Sequence, residues 1–281
     1  MALLGAGCSP LALINLSSPN WQQTRHVDLA FGDHERLQLD VYAPADHQLS
    51  AHAGPRPVIV FFYGGSWQRG SKDAYRFSAS QLTRQGFVVV VPDYRLFPEV
   101  VFPGFIEDAA EAVRWTMNSI EEYGGDPDQV FLMGHSAGAH IAALLHYDPQ
   151  YLAGTVQPPA GLIGLSGPYD FLPLSSPTLA EVFPESLRAA SQPINFANGG
   201  VAPALLLHGG KDDTVGAGNS IRLAREVIAA GGSVETRIYD KRGHAGVLLA
   251  LAGPLRALAP VVTDVTAFIN ARSAQIAEQA D

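Results

Sequence analysis

Cysteine is almost missing from this chain. Cys8 is the only one in 281 residues, which excludes an internal disulfide and any metal site built on thiolates. Long apolar runs are missing too. No stretch approaches ~18 uninterrupted apolar residues, so a membrane-spanning helix is not expected. Positive charge is scarce: 18 Lys and Arg against 27 Asp and Glu leave a net charge of −9, and no basic stripe is visible. Phosphate contact needs clustered cations, so nucleic acid is excluded as an expected partner. The histidines at 135, 140 and 146 do not fall at i, i+4, so no helical metal face is expected and no metal or organic cofactor is implied. What remains is ordinary globular composition, 47% hydrophobic and 16% charged, with a sizeable core. Its 20 prolines and 28 glycines are spread along the chain as turn residues.

Residues 1–24 form an apolar N-terminal segment. The stretch LLGAGCSP supports two readings, a surface helix or a remnant of a bacterial lipoprotein signal with Cys8 as the lipid-anchor site. The absence of a basic n-region and Gly5 three positions before Cys8 weigh against the second. Localisation, cytoplasmic or exported, and oligomeric state stay open.

From residue 25 to 281, strand and helix patterns alternate, as in one α/β domain with a mostly parallel twisted sheet and helices on both faces. Residues 25–31 and 35–42 read as an antiparallel hairpin. Strands are expected over 57–62, 87–95, 129–134, 161–167, 204–210 and 233–240. Helices are expected over 74–85, 105–125, 137–146, 217–230 and 246–270. Residues 168–202 are too long for a plain loop and read as a small cap insertion, a lid or a substrate wall.

Chemistry enters at Gly134-His135-Ser136-Ala137-Gly138, a G-x-S-x-G pattern. Alone the pattern is weak. Here it follows the apolar run QVFLM and precedes the helix-like AHIAALL, the strand–turn–helix context of a nucleophile elbow. The blander reading of Ser136 is a helix cap among packing glycines. A serine hydroxyl needs a base, and in elbow enzymes an acid and then a histidine follow the nucleophile. Of the histidines after Ser136, His140 and His146 lie on the following helix and His208 in a strand end. His244, in the loop KRGHAG, is the expected base. Asp212, four residues after His208, is the preferred acid, with Asp213 and Asp170 as alternatives. The oxyanion that forms needs preset N–H donors. Ala137, the residue after the serine, supplies one.

With these residues in place, the chain resembles α/β-hydrolases of the esterase side: feruloyl-esterase-like proteins, kynurenine formamidase-like hydrolases and hormone-sensitive-lipase-type carboxylesterases. The resemblance rests on YGGSW (63–67), PDYRLFP (92–98), FPGFIEDAAEAVRW (102–115), YGGDPDQVFLMGHSAGAH (123–140), LSGPYDF (165–171), HGGKDDTV (208–215) and the His244 loop. It implies an α/β-hydrolase fold and further oxyanion donors at Gly65 and Ser66. Two departures stand out, Tyr63 where His is usual and Ser66 where Gly is usual. The expected activity is hydrolysis of a small-molecule carboxylic ester through an acyl-enzyme. An amidase or formamidase acting on a small N-acyl substrate is the alternative. Trp67 is either core or pocket wall, and His135, Phe171, Leu172 and Phe183 are the other candidate pocket residues. Asp93 and Arg95 are expected to pair with backbone or each other, Asp108 to brace its helix, and Tyr94 to pack.

Overall fold

An apolar run such as Val58–Phe62 forms a stable strand only where both its faces are covered. In the computed structural model, which describes residues 14–15, 23–45 and 54–280, this run lies in β3 (Arg56–Phe62), inside an eight-stranded sheet. The other strands are β1 (Gln23–Ala30), β2 (Gln38–Pro44), β4 (Val88–Pro92), β5 (Gly125–His135), β6 (Gly161–Leu165), β7 (Ala204–Gly209) and β8 (Val234–Tyr239). Their order is β1-β2-β4-β3-β5-β6-β7-β8. β2 runs antiparallel to β1 and β4, and every other pairing is parallel. This is the α/β-hydrolase architecture.

Burial follows position in the sheet. Every residue of β4, β6 and β7 is buried, whereas the edge strands β1 and β8 mix exposed and half-buried residues. The helices are α1 (Arg76–Thr83), α2 (Gly104–Ser119), α3 (Ala137–Tyr147), α4 (Pro177–Val182), α5 (Gly218–Ala229), α6 (His244–Leu249) and α7 (Val261–Ala280). Alternation along β5 sends successive side chains to opposite faces. Phe131 meets Phe268 of α7 edge-on at 6.3 Å. Gly134, three residues on, faces the backbone of α3. Helices therefore cover both faces, and β5 delivers its C-terminal end to the middle of the sheet's upper edge.

Two expected elements differ. The helix expected over 105–125 ends at Ser119 and continues as a 3-10 turn to Tyr123, because Gly124 takes a left-handed φ of 79°. The helix expected over 246–270 is three pieces: α6, a 3-10 segment Gly253–Leu258, and α7. Pro254 and Pro260 cannot donate the backbone hydrogen bonds that a continuous helix needs. The insertion 168–202 holds α4, capped by Leu179 N–H donating to Ser176 Oγ at 3.2 Å, and two 3-10 turns, Glu185–Leu187 and Pro193–Phe196. Cys8 and nearly all of 1–24 lie outside the described residues. Among the described residues, no helix is long and apolar enough to cross a membrane.

Candidate active site

Ser136 sits between β5 and α3 with φ 55° and ψ −121°. A non-glycine residue with positive φ costs roughly 1–3 kcal/mol, so the surroundings must enforce it. They do so by close packing. A Cβ on Gly134 would lie 2.2 Å from the carbonyl oxygen of Gly138, and one on Gly138 would lie 2.0 Å from that of Phe62. The two glycines of the motif are thus required by space. Ser136 N–H donates to the Leu165 carbonyl at 2.9 Å, which ties the turn to β6.

His244, the first residue of α6, brings Nε2 to 2.9 Å from Ser136 Oγ. Its Nδ1 lies 2.8 Å from Asp212 Oδ2. Asp212 Oδ1 accepts N–H bonds from Thr214 (3.0 Å) and Val215 (2.8 Å), and His208 Nε2 lies 3.4 Å from Oδ2. Burial alone would raise the Asp212 pKa. The donors from His208, His244 and Val215 outweigh it and hold the carboxyl well below the usual range. Of the alternative acids, Asp213 is exposed and Asp170 pairs with Arg222 at 2.5 Å. His208 is occupied structurally: Ser220 Oγ donates to its Nδ1 at 2.8 Å and its Nε2–H donates to the Val215 carbonyl at 2.7 Å.

The loop after β3 approaches from the other side. A Cβ on Gly64 would stand 3.0 Å from Ser136 Cβ, so bare backbone here lets the loop reach the serine. Gly65 has φ 143°, and a Cβ on it would meet the Arg69 carbonyl oxygen at 1.9 Å. Its own carbonyl accepts N–H bonds from Gln68 and Arg69. The backbone N–H groups of Gly65, Ser66 and Ala137 donate to no acceptor among the described residues.

Tyr63, the departure from histidine, is a structural hub. It stacks on Tyr94 (4.6 Å) and Tyr75 (5.4 Å). Its hydroxyl donates to Asp93 Oδ1 at 2.7 Å and accepts from Arg36 at 3.0 Å. The two neighbouring tyrosines hold loop carbonyls: Tyr94 O–H donates to Tyr63 O (2.7 Å) and Tyr75 O–H to Gly64 O (3.2 Å). Arg36 also donates to the carbonyls of Tyr94 and Gly70. Asp93 therefore pairs with this network. Arg95 pairs not with Asp93 but with Asp108, at 2.6 Å, so Asp108 anchors the β4 loop onto α2.

A cavity of about 290 Å3 opens over Ser136, with Ser66, Trp67, Ala137, Phe171 and Val215 in its wall. Three candidate pocket residues lie elsewhere. Phe183 is fully buried behind Trp67, edge-on at 4.7 Å. Leu172 is 40% exposed, beside the half-buried Phe171. His135 is buried under His244, where its Nε2–H donates to the His244 carbonyl at 3.2 Å. Desolvation and the neighbouring His244 push the His135 pKa down to about 3. Gly65 is also outside the wall. His140, expected only as a residue of the helix after the elbow, also reaches the site wall. It accepts from Trp67 Nε1–H at 3.2 Å, and only the i+4 spacing from Ser136 signals this.

Known proteins share this arrangement of chain. The BD-FAE family profile matches residues 39–227, well over half the sequence. The isoprenylcysteine alpha-carbonyl methylesterase ICME of Arabidopsis thaliana is 30% identical over 253 residues, 81% of this chain and 58% of that protein. Esterase LipC of Mycobacterium tuberculosis is 31% identical over 205 residues, 65% of this chain and 50% of that protein. The chain thus spans little more than half the length of these curated relatives. The solved structure of an inhibited esterase B from Lactobacillus rhamnosis superposes with a TM-score of 0.81 at 18% identity, covering 96% of this chain and 94% of the other, a likeness of fold. Because the family match takes in the elbow, the loop after β3 and the Asp212 turn together, the chain belongs to the BD-FAE family, on the α/β-hydrolase fold of the serine esterases.

Proposed function

We propose that the protein is a serine carboxylic-ester hydrolase acting through an acyl-enzyme on small to medium esters. The observation that carries this reading is the continuous hydrogen-bonded line from Asp212 through His244 to Ser136 Oγ at the wall of a cavity. His244 Nε2 takes the serine proton as Oγ attacks the ester carbonyl. Asp212, held ionised, fixes the Nδ1–H tautomer and stabilises the imidazolium that forms. The unoccupied N–H groups of Ser66 and Ala137 receive the oxyanion, with Gly65 as a further donor; one such donor is worth about 2.7–4 kcal/mol in the transition state. His244 then protonates the leaving alcohol, and water repeats the sequence on the acyl-enzyme.

Ester is favoured over amide because the named relatives are esterases, one of them a methylesterase. The test compares p-nitrophenyl butyrate with N-formylkynurenine in the wild type and in Ser136→Ala, with a fluorophosphonate probe read by mass spectrometry. Hydrolysis of the ester, labelling at Ser136 and loss of both in the variant are expected. Labelling elsewhere, or full activity in Ser136→Ala, would overturn the assignment. Faster turnover of N-formylkynurenine would move it to the amidase reading.

A further inference from the structure

Trp67 and Phe171 are the two aromatic walls of the cavity, and their rings stack at 5.8 Å with 26° between planes. They come from distant parts of the chain, yet a single run of polar contacts joins them. Trp67 Nε1–H donates to His140 Nδ1 at 3.2 Å. On the other edge of the same ring, His140 Nε2–H donates to the Ser191 carbonyl at 2.7 Å. The neighbouring Gln192 donates to Ser191 Oγ at 2.9 Å, and its Oε1 accepts the Phe171 N–H at 2.8 Å.

The tautomer of His140 follows from its partners. An indole N–H can only donate and a carbonyl can only accept, so Nδ1 carries the lone pair and Nε2 the proton. Burial, against the opposing pull of the Ser191 carbonyl, lowers the His140 pKa to about 4, which keeps that lone pair free. Trp67 needs such a hold because its φ is 61°, unusual for a bulky residue.

The side of the cavity can also be assigned. His244 is held by Asp212, and Thr214 and Val215, which donate to the same carboxylate, line the cavity; an alcohol protonated by His244 therefore leaves on their flank. The acyl group stays on Ser136 and extends toward Trp67.

We propose that Trp67 and Phe171 close the acyl end of the site, that His140 is a positioning residue that locks Trp67 to the insertion, and that the enzyme therefore favours short acyl chains over long ones. This rests on the ester-hydrolase reading above.

The test measures kcat/KM for p-nitrophenyl esters from acetate to decanoate and reads the octanoate-to-acetate ratio. In the wild type the rate should fall as the acyl chain lengthens toward decanoate. Trp67→Ala should raise the ratio at least about tenfold, the scale on which a pocket senses added methylenes. His140→Leu should raise it severalfold, and Trp67→Phe, which keeps an aromatic ring of smaller size and loses the N–H, should raise it at least as much. His140→Asn, whose Oδ1 can replace Nδ1 as acceptor, should stay nearer the wild type, an outcome that a general packing role would not give. Fluorophosphonate labelling of Ser136 identifies the variants that remain folded. A ratio within twofold of wild type in both Trp67→Ala and Phe171→Ala would overturn the acyl-wall assignment. Identical ratios in His140→Leu and His140→Asn would overturn the role of His140. A wild type that neither labels nor hydrolyses any ester would sink the hydrolase reading itself and this proposal with it.

Discussion

Asp93, half-buried, and Asp212, buried, are carboxylates on opposite flanks of the nucleophile strand, and their surroundings treat negative charge in opposite ways. Asp93, beyond β4, receives two close donors on one oxygen, Tyr63 O–H and Lys72 N–H, with Arg36 at 3.8 Å. Burial outweighs these and raises its pKa. Asp212, beyond β7, receives donors on both oxygens, and its pKa is driven down. The comparison separates two uses of one residue type. On the loop flank the carboxylate is an acceptor that orders backbone, and its charge is a burden. On the base flank the proposed mechanism needs the charge itself, because it forms an imidazolium beside Asp212 in each half of the reaction.

Replacing each by asparagine should break this symmetry. Asp212→Asn is expected to lower kcat about 10⁴-fold through the wrong His244 tautomer, with the fold intact. Asp93→Asn retains an acceptor for Tyr63 and Lys72. It should lower kcat by no more than about tenfold and leave Tm close to that of the wild type, since burial already disfavours the charge it removes. Steady-state kinetics on p-nitrophenyl acetate and thermal unfolding at pH 7 would decide between them. Equal losses in the two variants would show that the flanks are not distinct.

A smaller effect is expected from the tyrosines. Tyr75→Phe and Tyr94→Phe each free a loop carbonyl and let the adjoining N–H groups tilt. A kcat loss of about tenfold each with KM nearly unchanged is expected, because only the transition state uses the preset donors. A change in KM alone would place these residues in substrate binding instead.

The smallest effect at neutral pH is the one shared by both flanks. His135, His140 and His146 are buried, with pKa values lowered by desolvation to about 3, 4 and 4. The unfolded chain protonates them near 6.5, where the folded chain does not. Stability is therefore full above pH 6.5 and falls as pH drops toward 4, at up to ~1.4 kcal/mol per pH unit for each histidine. Asp212 has a lowered pKa, so its contribution is retained until pH falls below the ordinary aspartate range near 3.8. Urea unfolding at pH 7, 6 and 5 would measure the histidine slope. His146→Leu, at the far end of α3 from Ser136, should flatten that slope by about a third.

How much of this could be read from residues alone follows the range of the interactions. Strand and helix positions and the elbow around Ser136 are legible because periodicity and local turn chemistry are short-range, whereas Asp212 and His244 follow only from their order in the chain, since His244 meets Ser136 across 108 residues. The break in the C-terminal helix was legible in Pro254 and Pro260 but was outweighed by the apolar periodicity around them. The direction of individual side chains was not legible. Leu172 faces outward and Phe183 lies one layer behind the wall, a difference of one residue in register or one ring in depth. The partners of Arg36, Tyr63 and Asp93 sit on three separate strand ends, and His140 meets Ser191 51 residues away. No local pattern encodes such meetings. The Arg95–Asp108 pair was missed for the same reason.

Ser66 and Trp67 are consecutive non-glycine residues with φ near 60°. Each such residue raises the local free energy by roughly 1–3 kcal/mol, so the loop that carries the proposed donors opens at lower cost than the sheet beneath it unfolds. Local and global stability should then part company. In a urea titration, esterase activity should disappear at a lower concentration than the far-UV circular dichroism signal, and Ser66→Gly, which removes one strained side chain, should bring the two midpoints closer together.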